Sequence, residues 1–146
     1  MGKVHAWSLN SERGIALRNG AHFDAQMHYE IIPDEDQGFR VTTKAYRYKL
    51  QIGGDIQFMM HWHPTGRSAY ELPHLHLPNS AGLDEDTHLP TARFTFEDAV
   101  EWTIKITGQS ARDDWQQILD ETRDRHISHR QWHTRPGEQH AQPPRR

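Results

Sequence analysis

A chain of 146 residues has the size of one small domain, and with 34% hydrophobic residues, 25% charged residues and a mean hydropathy of −0.94 it reads as soluble, with no bilayer-spanning segment. It contains no cysteine, which excludes a disulfide framework, a thiolate metal knuckle and a cysteine nucleophile and makes a reducing cytoplasm the expected compartment. Net charge is −3 with neutral imidazoles, yet the 12 histidines would make the protein far more positive in mild acid.

The opening MGKVHAWSLN has no apolar core of a secretory signal. Residues 1–22 place Val4, Trp7, Leu9, Ile15 and Leu17 among polar residues and glycines, and predict an irregular arm or one weak strand. A single α+β domain is expected over 23–132. Its first strand runs from Gln26 to Ile32, where Met27, Tyr29 and Ile31 alternate with Gln26, His28 and Glu30. PDEDQG (33–38) is turn chemistry. Phe39 to Ile52 is the second strand, with Tyr46, Tyr48, Leu50 and Ile52 on one face and Phe39 and Val41 in the opposite phase, so a bulge near Thr43 or Lys44 is required. Gly53-Gly54 forms a two-residue hairpin into a third strand, Asp55 to His63. A fourth, His74 to Leu77, lies between Pro73 and Pro78 and predicts an edge strand.

Helical spacing then takes over. Thr95 and Asp98 form a capping box ahead of Phe96, Ala99, Val100 and Ile104, and Gly108 stops the helix. A second helix is predicted from Ser110 through Trp115, Ile118, Leu119 and Thr122, fraying between Ile127 and Trp132. Residues 133–146, rich in proline and without large apolar side chains, predict a disordered tail. The architecture is therefore an antiparallel meander of about four strands with two C-terminal helices on one face.

If the apolar residues of each strand face the helices, alternation places His28, Glu30, Arg47, Lys49, His61, His63, His74 and His76 on the other face. Two chemistries suit that surface. Imidazoles at i and i+2 on neighbouring strands can bind a zinc ion, with His61, His63, His74 and His76 as candidate ligands and water completing an open site. Neither HWHP nor HLHL continues into a cupin, HxHxDH or histidine-triad pattern. Alternatively, without any cofactor, His61, His63, His74, His76 and His88 supply general acid and base for phosphodiester cleavage, and Arg47, Lys49, Arg67 and Arg93 bind phosphate. The bland alternative is a set of ordinary solvent-facing histidines. Other features read structurally: Trp102, Trp115, Tyr46 and Tyr48 as core, LDEDTH (83–88) as a solvated loop, and His126, His129 and His133 beside Arg123, Arg125 and Arg130 as a solvated helix end.

AYRYKLQ (45–51), HWHP (61–64), PHLHL (73–77) and HLPTARFTFEDAVEW (88–102) resemble, over residues 24–120, the layout of the TumE-like toxins of bacterial toxin–antitoxin modules and of related small bacterial proteins. The resemblance implies a cytoplasmic protein paired with an antitoxin protein and acting on RNA or translation, with His61, His63, His74, His76 and His88 carried over. The N-terminal arm and the arginine- and histidine-containing C-terminal segment depart from that layout. The first expectation is thus a toxin acting as a metal-independent ribonuclease, as a monomer or homodimer. The second is a histidine-ligated metal-binding protein or hydrolase, and the third a non-catalytic protein interaction module.

Overall fold

The computed structural model describes residues 3–64, 70–84 and 87–130. Seven strands, β1 (Val4–Ser8), β2 (Ile15–Ala16), β3 (Ala21–Asp34), β4 (Gly38–Ile52), β5 (Asp55–Trp62), β6 (His74–His76) and β7 (Leu89–Pro90), precede two helices, α1 (Phe96–Thr107) and α2 (Trp115–His129). The strands form one antiparallel sheet in the order β1-β3-β4-β5-β6-β7, with β2 also paired to β3. The α+β meander expected from the sequence is its centre, β3 to β6.

Three differences widen it. Residues 3–22 are not an irregular arm: β1 and β2 both lie along the free edge of β3, which at 14 residues is long enough to template two short partners. The first long strand starts at Ala21 rather than Gln26, because His22 and Asp24 continue its alternation. The strand between the prolines is not an edge, since β7 covers it through Leu75↔Leu89 and His74↔Pro90. Pro90 has no N–H to offer, so the true edge is a two-residue strand whose outer side is partly blunted.

The expected bulge is present. β3 and β4 pair His28 with Ala45 but Tyr29 with Thr43, which leaves Lys44 as the extra residue, and its ammonium reaches Glu30 at 2.8 Å. At the β4–β5 hairpin, Gly53 and Gly54 have φ of 59° and 92°, positive values that the tight two-residue turn demands and side chains resist.

Thr95 accepts from the Asp98 N–H while the Asp98 carboxylate accepts from the Thr95 N–H, so α1 begins with the predicted capping box and ends at Gly108 in the left-handed region. The second helix starts later than expected. Ser110 bonds Arg112 instead of capping, and α2 begins at Trp115 after Asp114.

α1 covers the apolar face of the sheet. Phe96 meets Trp7 and Tyr48 edge-on at 5.2 and 6.0 Å, and Trp102 meets Phe58 at 5.7 Å. Under it Phe23, Tyr46, Tyr48, Leu50, Phe58, Met60, Trp62 and Leu75 are buried, as alternation from the sequence requires. Tyr46, Tyr48 and Trp102 are core residues as read, whereas Trp115 is only half-buried and outside that cluster. Arg123 of α2 ties the helices together through Glu101 at 2.7 Å. No helix among the described residues is long and apolar enough to cross a membrane.

Candidate metal centre

The face opposite α1 is organised in rows across the strands. One row aligns Gln26, Arg47, His61 and His74, and the next aligns Asp24, Lys49, Met59 and His76. His61 therefore lies directly across from His74, and His76 one pleat along on the same side. Their rings are 5.1 Å apart (His61–His74), 5.1 Å (His74–His76) and 6.3 Å (His61–His76).

His63, two residues beyond His61, lies against it with ring centroids 4.2 Å apart and planes tilted by 49°. His88, immediately before β7, closes on His74 and His76 at 4.6 and 4.7 Å. All five histidines singled out in the sequence thus converge. Tyr70 was not anticipated; it lies edge-on to His74 at 5.0 Å and stacks on His88 at 5.1 Å.

The face is not the open surface expected from alternation. His74 is completely buried and His76 nearly so, because the segments carrying Tyr70 and His88 fold over β6. One imidazole nitrogen from each of His61, His74 and His76 lies within 4.8 Å of the others, the spacing from which three ligands can close on one ion.

Hydrogen bonding orients His74. Its Nδ1 is 2.7 Å from the Leu72 carbonyl, which can only accept, so Nδ1 carries the proton and Nε2 keeps its lone pair. That Nε2 is buried with no hydrogen-bond partner. A ring N–H held by a backbone carbonyl while the other nitrogen is left open is how a ligand histidine is prepared.

Electrostatics keep His61 and His74 neutral. Burial first, then the neighbouring His63, His74, His76 and Arg47, push His61 down to about 3. Burial also pushes His74 down to about 4, against the Leu72 hydrogen bond, which raises it, and together with His88, His76 and His63, which lower it. At neutral pH both present lone pairs without having to release a proton.

The remaining candidates separate. Arg47 is on this face, bonded to Asp24 at 2.9 Å, and lines a cleft of about 180 Å³ with Gln26, His28, His61 and His63. A larger cleft of about 340 Å³ reaches the centre through Met59 and His76. Lys49 stands in register with Asp24 and Met59. Glu30, placed on the same face, is drawn off to Lys44.

Arg93 lies apart from the histidines: its guanidinium sits 3.7 Å over the ring of Trp62, which faces the core. Arg67 lies outside the described residues, as do His133 and the segment 133–146 expected as a tail. His126 is half-buried near Glu97, Asp98 and Arg130 rather than solvated, and burial lowers its affinity for a proton. Asp24 was missed although its signal was available, in the alternation of His22, Asp24 and Gln26 with Phe23, Ala25 and Met27. Tyr70 carried no such signal.

Comparison with known protein families, with curated proteins and with solved structures finds no match for this chain.

Proposed function

We propose that the protein binds a divalent transition-metal ion of the zinc class through His61, His74 and His76, and uses the open side of that ion to activate water for hydrolysis. The observation that carries this reading is the meeting of one imidazole nitrogen from each of His61, His74 and His76 within 4.8 Å, and the buried, unpartnered Nε2 of His74 agrees with it. A buried polar atom without a partner costs about 1–3 kcal/mol, and a metal ion is the partner that a neutral imidazole lone pair serves best. A bound ion would draw the three nitrogens to about 3.3 Å from one another, a shift within the reach of side-chain rotation. When bound, such an ion lowers the proton affinity of its water and supplies hydroxide at neutral pH. His63 and His88 flank the ligands and would be the groups to exchange protons with such a water.

The metal-free ribonuclease reading, with its antitoxin partner and RNA substrate, draws support from the clustering of imidazoles beside Arg47. It needs one imidazolium at neutral pH, however, and His61 and His74, which form the centre of the cluster, are both held neutral. The metal reading uses that neutrality.

The test is a zinc titration of EDTA-stripped protein by calorimetry, on the wild type and on His61→Ala, His74→Gln and His76→Ala, each checked for folding by circular dichroism. One ion per chain is expected, with affinity falling more than about a hundredfold in each folded variant. No uptake by the wild type, or unchanged affinity in all three variants, would overturn the reading, and cleavage of RNA by stripped protein in the presence of EDTA would favour the ribonuclease.

A further inference from the structure

Among the described residues, the buried polar atoms near the histidine cluster without a hydrogen-bond partner include His74 Nε2, Arg47 Nε and Asp24 Oδ1. The first is accounted for by the metal ion. The other two belong to one ion pair, which uses Arg47 Nη2 and Asp24 Oδ2 and leaves donors of the guanidinium over. Buried donors without partners call for an explanation, and here they border a cleft.

Charge indicates what the cleft would take. Three neutral imidazoles leave the full charge of a divalent ion uncompensated, and no carboxylate is among the ligands. Beside them Arg47 and Lys49 face the single carboxylate of Asp24, so the rows that flank the centre are themselves positive. Arg47 lies directly across from His61, and the two line the same cleft with Gln26, His28 and His63. At about 180 Å³ that cleft is smaller than the ~300–1,000 Å³ of drug-sized sites, which suits a compact group better than a large ring system.

Resting on the metal reading, we infer that the substrate of this centre carries a compact oxyanion, a carboxylate or a phosphoryl group, that bridges the metal ion and the guanidinium of Arg47. The planar fork of arginine matches both groups, and one oxygen on the metal with another on Arg47 fixes the orientation of the substrate relative to the metal-bound water. Asp24 holds Arg47 in place. It is a positioning residue.

The test uses the full chain loaded with cobalt, with binding of the metal alone measured first by calorimetry. Inorganic phosphate and acetate are then titrated separately while the visible spectrum of the cobalt is followed. The variants are Arg47→Gln, and Arg47→Gln combined with Asp24→Asn, which avoids stranding a buried carboxylate if the single variant folds poorly. Saturable spectral change with at least one anion is expected, weakened about ten- to hundredfold in the double variant while cobalt affinity stays within about threefold of wild type. Tighter phosphate binding identifies a phosphoryl substrate, and tighter acetate binding a carboxylate; either supports the inference. Cobalt bound without response to either anion, or equal anion affinity in the double variant, would overturn the inference and leave the metal centre standing. Failure to bind cobalt would overturn both.

Discussion

The two faces of one sheet are held to different standards. On the helix side, Tyr48, Leu50, Phe58, Met60 and Ala99 are sealed from solvent and matched by apolar neighbours. On the histidine side, equally deep residues are polar, and His74, Arg47 and Asp24 keep buried atoms without partners. The first face lowers the free energy of the fold, whereas the second costs it. Groups whose burial is unfavourable in the free protein are the ones that gain most when a ligand arrives, which separates a binding surface from a core built on the same strands.

The largest expected effect that would break this contrast concerns adjacent residues on β5. Trp62→Ala removes a buried indole, its hydrogen bond to the Glu71 carbonyl and the seat of Arg93, and should destabilise by ~3–5 kcal/mol. His61→Ala, one residue away and facing the other side, should cost less than about 1 kcal/mol. Urea denaturation measures both, and equal losses would mean that the faces do not differ in this way.

Zinc sharpens the comparison from the opposite direction. If the histidine face is a ligand site, zinc at a hundredfold excess over its Kd stabilises the wild type by ~2.7 kcal/mol and His74→Gln by far less. Thermal melts of stripped and zinc-loaded protein provide the reading, and the same shift in the variant would place the metal elsewhere.

Acid should act on the histidine face selectively. His61 and His74 titrate near 3 and 4 in the folded protein against an ordinary 6.5, so between pH 6.5 and about 4 the unfolded chain binds more protons than the native one. Stability of the metal-free protein therefore falls as pH falls through that window, and these two groups contribute no slope above pH 7. In His74→Gln the slope should flatten; an unchanged slope would show that His74 is not held neutral.

Much of this contrast was legible in the sequence. Strand β5 and the part of β4 that follows its bulge alternate because one side of each lies against the core under α1, and a two-residue period fixes which side chains share a face. That logic alone puts His61, His63, His74 and His76 on one face. It could not say that they are buried, because burial depends on where Tyr70 and His88 settle, and those residues belong to connections without a period. The place of Arg93 was equally beyond a periodic reading, since it is set by the Trp62 ring. The start of α2 was misread because Ser110 resembles a cap but turns its hydroxyl to Arg112. The smallest predicted effect tests a feature read correctly: Thr95→Ala, which breaks the capping box of α1 on the helix-covered side, should cost about 1 kcal/mol in urea denaturation and leave zinc affinity unchanged. A change in zinc affinity would mean that the two faces are coupled.

The central claim is best tested by X-ray absorption at the zinc edge on protein loaded with one equivalent of metal. Three imidazole nitrogens and one oxygen ligand at about 2.0–2.1 Å are expected, with one imidazole lost in His74→Gln. A shell of oxygens alone, or an imidazole count that does not change in that variant, would contradict the account.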